Sequence, residues 1–170
     1  MRTDLSVLAG SCPEAARSLV GKLLCRRFPD GTVRRLRILE TEAYCGESDT
    51  ACHAHRGRTA RTEVMYAPAG TLYVYLCYGI HWMLNIVTNR LGDPQAVLIR
   101  SCEGAEGPGK LTKALGIDKS FNGRSLMDCA DELWIEDGPA ACEVTTARRV
   151  GIGYASPEDQ SKLWRYILKE

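Results

Sequence analysis

The sequence predicts an α+β fold in a single domain, residues 1–170, with a curved antiparallel or mixed β-sheet, surrounding helices and a protruding β-hairpin. Its 170 residues are the usual length of one domain, and neither a repeat nor a linker of biased composition divides them. One helical pattern is followed by several strand patterns, which favours α+β over the regular alternation of βαβ units. A hydrophobic content of 45% and a charged content of 25% are typical of a globular protein.

The N-terminal part of the chain predicts a helix and then a hairpin. Ser11 can cap a helix that has Pro13 in its first turn and apolar residues up to Leu23 on one face. A short strand at 24–28, the turn at 29–31 and a longer strand at 33–44 form the hairpin. The polar stretch 46–60 is too long for a tight turn, so we interpret it as a functional loop.

The rest of the chain predicts further strands and short helices. Aromatic and β-branched residues indicate strands at 71–78 and 81–88, and Gly79 marks the bend between them. The remaining predicted elements are strands at 96–100, 132–136 and 142–147, a short helix from 108 to 116 and a terminal turn or helix from 157 to 160.

Composition limits the classes of protein without fixing the function. The net charge of +1 does not by itself indicate a nucleic-acid-binding protein. Two basic groups, Arg56–Arg61 and Lys110–Arg124, are either binding surfaces or ordinary solvated faces. The eight cysteines lack CxxC spacing, and no secretory signal or apolar run of about 18 residues is present. We therefore expect a soluble, intracellular protein with reduced thiols.

Two acids and a tyrosine on one strand are the first candidate for chemistry. Period-two alternation places Ile38, Glu40, Glu42 and Tyr44 on one face of the strand at 33–44. The simple alternative is that both acids face solvent, as glutamates usually do. Glu40 and Glu42 could also form a sugar-hydrolase pair, but both would then lie on the same side of the substrate, whereas such acids flank the bond. We therefore expect Glu40 to have a structural role.

Three tyrosines in the string TLYVYLCYG are the second candidate. Tyr73 and Tyr75 share a strand face, and a bend at Gly79 would let Tyr78 project from a hairpin tip. Aromatic side chains stack on nucleic-acid bases, and a bulky tip residue can fill the gap left by an extruded nucleotide. The alternative is that all three belong to the core or to its rim.

Six strings occur in the chain in this order: LETEAY, ACHAHRGRT, GTLYVYLCYGIHWMLN, AVLIR, GPGKLTKALGI and RRVGIGYA. Together they resemble the alkyladenine (3-methyladenine) DNA glycosylase family of monofunctional enzymes, and the resemblance extends from about Leu8 to Ala155. The resemblance implies a base-excision-repair enzyme that flips damaged purines of the 3-methyladenine, 7-methylguanine, hypoxanthine and ethenoadenine class out of double-stranded DNA. It implies hydrolysis of the N-glycosidic bond to leave an abasic site, by an enzyme that needs no metal. We expect no other cofactor, and we expect a monomer because nothing in the sequence demands a dimer.

The resemblance also implies roles for individual residues. Glu42 matches the family's water-activating base, and Arg100 matches an arginine that holds the water or a neighbouring phosphate. No lysine stands beside Glu42, which leaves lyase chemistry without an obvious nucleophile. The other matches are Tyr44, His53 and Tyr75 around the flipped base, Asn85 as the residue that rejects guanine, and Tyr78 as the residue that intercalates.

Other residues have weaker assignments. Arg56, Arg58 and Lys110 could reach DNA phosphates. Cys52, His53 and His55 could instead bind a metal, although a few ligands in one loop are weak support for such a site. The segment SCEGAE between Arg100 and Gly107 is shorter than in many relatives, and it leaves open a non-catalytic lesion-binding protein on the same fold.

Overall fold

The longest strand of the protein organises its sheet. We describe residues 1–139 and 143–169 from a computed structural model of the chain. Strand β2, Val33–Tyr44, pairs through its first half with β1, Leu23–Arg27. Its second half lies between β5, Gln95–Cys102, and β8, Arg165–Lys169. The acids of β2 are therefore flanked by two strands.

All strand pairs in the described residues are antiparallel, and they form one eight-stranded, curled sheet. The order is β3-β4-β5-β2-β1-β6, while β8 pairs with β2 and then with β7. This arrangement confirms the α+β prediction. The remaining elements are β3 (Leu72–Cys77), β4 (His81–Thr88), β6 (Leu133–Glu136), β7 (Glu143–Ala147), α1 (Cys12–Leu19), α2 (Pro108–Leu115) and α3 (Pro157–Ser161).

Most predicted elements are present, with shifted ends. Ser11 caps α1 as predicted, because its hydroxyl accepts from the Glu14 N–H and donates to the Glu14 carboxylate. The helix ends at Leu19 rather than near Leu23, because Gly21, at φ 85°, turns the chain into β1. The start of the strand predicted at 142–147 lies outside the described residues. Strand β8 was not predicted at all.

One face of the sheet is the main core, and the other face carries the loop at 46–66. Helices α1 and α2 cover the core face, where the Thr41 hydroxyl donates to the Ala16 carbonyl at 2.7 Å. The buried side chains of this core include Leu19, Leu72, Leu84, Ile86, Val97, Ile99, Leu111 and Leu115. No helix within the described ranges has the length and apolar character needed to cross a bilayer.

Two β-bulges change which side chains face the loop. On β2, Leu39 is the extra residue between Ile38 and Glu40, and on β5 Arg100 is the extra residue between Ile99 and Ser101. The prediction that Ile38 shares a face with Glu40 and Glu42 is therefore wrong, because the added residue reverses the alternation. Ile38 lies in the main core, fully buried.

The hairpin between β3 and β4 protrudes, as predicted. Tyr78 and Gly79 have positive φ angles of 51° and 67°, which are those of a type I′ turn. The Ile80 N–H closes the turn on the Cys77 carbonyl at 3.1 Å. Tyr78 is 91% exposed at the tip, so the chain bend expected from Gly79 is present.

Candidate active site

A row of cross-strand neighbours builds the floor of a groove. Tyr73 on β3 faces Asn85 on β4, which faces Leu98 on β5, which in turn faces Glu42 on β2. Because directly paired residues project to the same side of a sheet, these four side chains lie on one face. The groove above Glu42 has a volume of about 490 Å³. It is bordered by the hairpin, by the start of α2 and by residues 150–154.

The Glu42 side chain is fully buried at the bottom of this groove, with two partners. The Val150 N–H donates to its Oε2 at 2.7 Å, and Arg100 Nη1 donates to its Oε1 at 3.3 Å. Burial raises the pKa of Glu42, while Arg100, the Val150 N–H, Arg149 and Arg165 act in the opposite direction. A buried carboxylate held this way can take a proton from a bound water more readily than a solvated one.

Glu40 is part of an ion network beside Glu42. Its Oε2 lies 3.2 Å from Arg165 Nη1 and 4.0 Å from Arg100 Nε. Both acids are on the same wall of the groove, and Glu40 faces two guanidinium groups. This geometry agrees with the structural role expected for Glu40. Its ion pair with Arg100 also keeps that guanidinium close to Glu42.

Aromatic rings form a narrow slot next to Glu42. The rings of His53 and Tyr75 meet edge to face at 4.6 Å, and those of Tyr73 and Tyr75 lie 5.2 Å apart. Tyr44 and Tyr154 also line the slot, whose volume is about 40 Å³. The slot shares Tyr44, His53, Tyr75 and Tyr154 with the groove above Glu42, so the two cavities adjoin.

His53 is neutral at physiological pH. Burial, and then the charge of Arg61, lower its pKa to about 4. Its Nδ1 shares a hydrogen bond of 2.9 Å with the Tyr73 hydroxyl, which fixes the ring against the slot. A neutral imidazole therefore adds no positive charge to the slot.

Asn85 lies at the inner end of the slot, and 4% of its surface is exposed. Its amide nitrogen donates to the Tyr73 carbonyl at 3.1 Å and to the Met83 carbonyl at 3.5 Å. These bonds hold the amide in one orientation, which gives the slot a fixed polar group at its inner end.

The basic residues differ in their freedom to bind an anion. Arg58 makes two hydrogen bonds with Glu63, at 2.7 and 2.8 Å, so its charge is already paired. Arg56 and Lys110 are exposed, and neither has an ion-pair partner within residues 1–139 and 143–169. Arg56 and Arg61 line a second cavity of about 620 Å³, which shares His53 and Tyr154 with the slot.

Three residues at the site, Arg149, Val150 and Tyr154, were not singled out from the sequence as site residues. Val150 acts through its backbone, which no side-chain pattern reveals. Arg149 lies behind Tyr44, and Tyr154 donates to the Ala51 carbonyl at 2.7 Å. Tyr73 was placed on the correct strand face, but its contact with His53 depends on the fold of the loop. The string RRVGIGYA contributed to the resemblance without indicating these roles.

The cysteines do not build a metal centre in the part of the chain that the structure describes. Cys52 is buried against the Pro94 carbonyl, and no three His, Cys, Asp or Glu side chains of the described residues are grouped as a metal site requires. The seven cysteines before residue 140 are free thiols. Cys142 lies outside the described residues.

The chain matches one protein-family model and is similar to several curated proteins. A family model described as methylpurine-DNA glycosylase matches residues 6–106 and 103–170, two stretches that meet in the short segment after Arg100. A protein of Methanocella arvoryzae is 45% identical over 92% of this chain and 86% of its own length. Proteins of Anaeromyxobacter and Natranaerobius thermophilus are 46% and 37% identical, over 92% and 100% of this chain and 83% and 96% of theirs. All three carry provisional names as 3-methyladenine DNA glycosylases.

Proposed function

The chain belongs to the methylpurine-DNA glycosylase family, and from this membership we propose that it excises damaged purines from double-stranded DNA with Glu42 as the base that activates water. It is a monofunctional DNA glycosylase of the 3-methyladenine type, an enzyme of base excision repair. The observation that carries the proposal about Glu42 is its carboxylate, which is buried between Arg100 and the Val150 N–H in a groove that shares four lining residues with the aromatic slot.

The chemistry follows from the charges that develop during cleavage. As the N-glycosidic bond breaks, the sugar becomes an oxocarbenium-like cation, which a nearby carboxylate stabilises. Glu42 takes a proton from the attacking water, and the oxygen of that water bonds to the anomeric carbon as the purine departs with the bonding electrons. Arg100 donates to one oxygen of Glu42 and the Val150 N–H donates to the other, so the carboxylate is held in one orientation at the bottom of the groove, and each oxygen keeps a lone pair for the water.

The slot suggests which bases are accepted. The faces of Tyr44 and Tyr75 attract a cationic ring more strongly than a neutral one, because the ring quadrupole presents negative charge. Purines methylated at N3 or N7 carry that positive charge and leave without further protonation. We propose this class as the preferred substrates, with hypoxanthine and ethenoadenine as slower ones, and Asn85 as the residue that rejects guanine.

The surroundings of the slot suggest how DNA is held. Tyr78 projects from the hairpin tip, where it can occupy the space that a flipped nucleotide leaves. Arg56 and Lys110 have free charges for the phosphates on either side. Arg58 is the weaker candidate, because binding a phosphate would require breaking its pair with Glu63.

Two other functions can be separated from this one. A small-glycoside hydrolase using Glu40 and Glu42 would need carboxylates on opposite sides of the bond, whereas these lie on one wall and Glu40 is held by Arg165 and Arg100. A non-catalytic lesion-binding protein needs no buried, activated carboxylate. The geometry of the groove therefore favours excision of a purine from DNA over both alternatives.

A panel of substrates tests the proposal. Single-turnover reactions would use duplexes containing 7-methylguanine, 3-methyladenine, hypoxanthine or ethenoadenine, with undamaged duplex and the free nucleosides as controls. We expect alkali-labile abasic sites in the lesion duplexes, fastest for the methylated bases. Binding without abasic product would indicate the non-catalytic alternative, and turnover of free nucleosides would indicate the small-glycoside hydrolase.

A further inference from the structure

We propose that the buried ion pair between Arg149 and Asp49 positions two groups for catalysis. It holds the Tyr44 ring at the wall of the slot and the Val150 N–H within hydrogen-bond distance of Glu42. The inference rests on the proposed function of Glu42, and it assigns a role to two residues that do not touch the substrate. It explains why a charge pair lies where apolar side chains could otherwise fill the space.

The pair is buried and makes two short contacts. Arg149 Nη1 lies 2.6 Å from Asp49 Oδ2, and Nη2 lies 2.9 Å from Oδ1, with side-chain exposures of 0% and 1%. Arg149 also donates to the Ala43 carbonyl at 3.0 Å. Asp49 accepts the N–H groups of Cys45 and Ala51 at 2.9 and 3.1 Å. One pair thus joins the end of β2, the loop after it and the segment before α3.

Two groups next to this ion pair, the Tyr44 ring and the Val150 N–H, belong to the candidate active site. The Arg149 guanidinium lies 5.0 Å from the ring centroids of both Tyr44 and Trp164, so it supports the ring of Tyr44 from one side. The next residue along the chain, Val150, donates its N–H to Glu42. Any movement of Arg149 would therefore move a wall of the slot and a hydrogen-bond donor of the base together.

The pair is not the arrangement expected from stability alone. Arg149 Nε is buried with no hydrogen-bond partner in the described residues, a costly state for a donor on a charged group. Replacing a buried ion pair by apolar side chains is often neutral or stabilising. Retention of the pair at this position is what a positioning role would require.

Charge and geometry can be separated by choice of variant. The charged and titratable groups that interact with Glu42 are Arg100 on β5, Arg165 on β8, Glu40 and Tyr44 on β2, and Arg149 and Tyr154 in the segment before α3. Arg149→Lys keeps the charge but loses the planar two-point contact, whereas Arg149→Met loses both. The double variant Asp49→Leu/Arg149→Met replaces the pair by apolar side chains and protects against simple failure to fold. Leu133→Ala is the control, a core truncation in β6 at the far edge of the sheet.

The measurement is the single-turnover excision rate of a 7-methylguanine duplex as a function of pH, at a temperature where each variant is folded by circular dichroism. We expect all three pair variants to lose about tenfold to a hundredfold in maximal rate, because small displacements of reacting groups have effects of that size. The acid limb should stay in place for Arg149→Lys and move to higher pH for the two variants without Arg149. Leu133→Ala should keep the wild-type rate and limb.

The inference fails if the folded pair variants, or the double variant alone, excise at the wild-type rate with the wild-type acid limb. Loss of thermal stability with no change in rate would also overturn it, because the pair would then be structural only. Failure of the wild-type protein to form abasic product would instead overturn the proposed function, so the two failures are distinguishable.

Discussion

At the scale of single residues, the site depends on the pKa of Glu42, which burial raises and the neighbouring positive groups lower. Removing a carboxylate from water costs several kcal/mol, and nearby positive charges recover part of that cost. The pKa of Glu42 is raised, so burial has the larger effect even with Arg100 at 3.3 Å and the Val150 N–H at 2.7 Å. The carboxylate is therefore a stronger base than a solvated glutamate.

The first prediction concerns the pH dependence of excision. Glu42 must be ionised to accept a proton, so activity is present above its pKa and is lost as the pH falls through it. We expect a single acid limb for a 7-methylguanine duplex, with a midpoint above the ordinary glutamate pKa of about 4.3. His53, with a pKa of about 4, adds no second limb between pH 6 and 8. A midpoint at or below the ordinary value would contradict this account of Glu42.

The second prediction concerns stability. Because the pKa of Glu42 is raised on folding, its ionisation destabilises the native state increasingly as the pH rises above the unfolded-state pKa and fully above the folded-state pKa, and glutamine avoids this cost. We expect Glu42→Gln to raise the free energy of unfolding at pH 7 by roughly 1 kcal/mol, as often happens when a functional residue is replaced. Urea unfolding measures it, and the gain should shrink at low pH. A large loss of stability would show that Arg100 stabilises the carboxylate more than burial destabilises it.

At the scale of elements, alternation along the strands predicted the site only as far as the strands are regular. Glu42 and Tyr44 share a face, as do Tyr73 and Tyr75, because no bulge separates the members of each pair. Ile38 was misplaced because a bulge depends on the partner strand, which cannot be read from the bulged strand itself. The bulge at Arg100 has a useful result, since it directs the guanidinium towards Glu42.

The third prediction concerns the hairpin tip. Tyr78 adopts a left-handed conformation that costs most residues about 1–2 kcal/mol but suits asparagine. We expect Tyr78→Asn to raise stability by about 0.5–1 kcal/mol and to weaken binding to lesion duplex, since the ring that we propose to intercalate is lost. Thermal unfolding and fluorescence anisotropy measure the two effects. Met127→Ala, at a residue that is 72% exposed, serves as the control. Unchanged lesion affinity in Tyr78→Asn would exclude intercalation.

At the scale of the whole molecule, the arrangement of charges matters more than their sum. The net charge is +1, yet the cations near the groove differ in whether they are paired. Arg58 is held by Glu63, whereas Arg56 and Lys110 have no ion-pair partner in the described ranges. Sequence alone could locate these basic groups but could not separate a paired arginine from a free one.

The fourth prediction uses that difference. Each phosphate contact contributes about 0.9 to the slope of log K against log salt concentration. We expect Arg56→Ala and Lys110→Ala each to reduce the slope for duplex binding by about 1, and Arg58→Ala to leave it nearly unchanged. Titrations between low and moderate salt measure the slopes. Equal changes for all three variants would mean that the Arg58–Glu63 pair opens on DNA.

Contacts between distant parts of the chain were the features that the sequence predicted least well. The ordered strings predicted the family, the fold class and the main residues of the groove. They gave no indication that the segment 149–154 supplies a backbone donor, a buried cation and an aromatic wall, because these roles arise from distant contacts with Glu42, Asp49 and Ala51. Strand β8 was not predicted from the sequence, although it places Arg165 beside Glu40.

The most direct test compares two acids on the same strand face. Single-turnover excision of a 7-methylguanine duplex would be measured for Glu42→Gln and for Glu40→Gln, with lesion binding measured in parallel. We predict that Glu42→Gln still binds but loses excision by about a hundredfold or more, the effect of removing a general base. Glu40→Gln should stay within about tenfold of wild type, since Glu40 only braces Arg100 and its partly exposed pairs contribute little. Wild-type excision by Glu42→Gln, or an equal loss in Glu40→Gln, would contradict the assignment of Glu42 as the base.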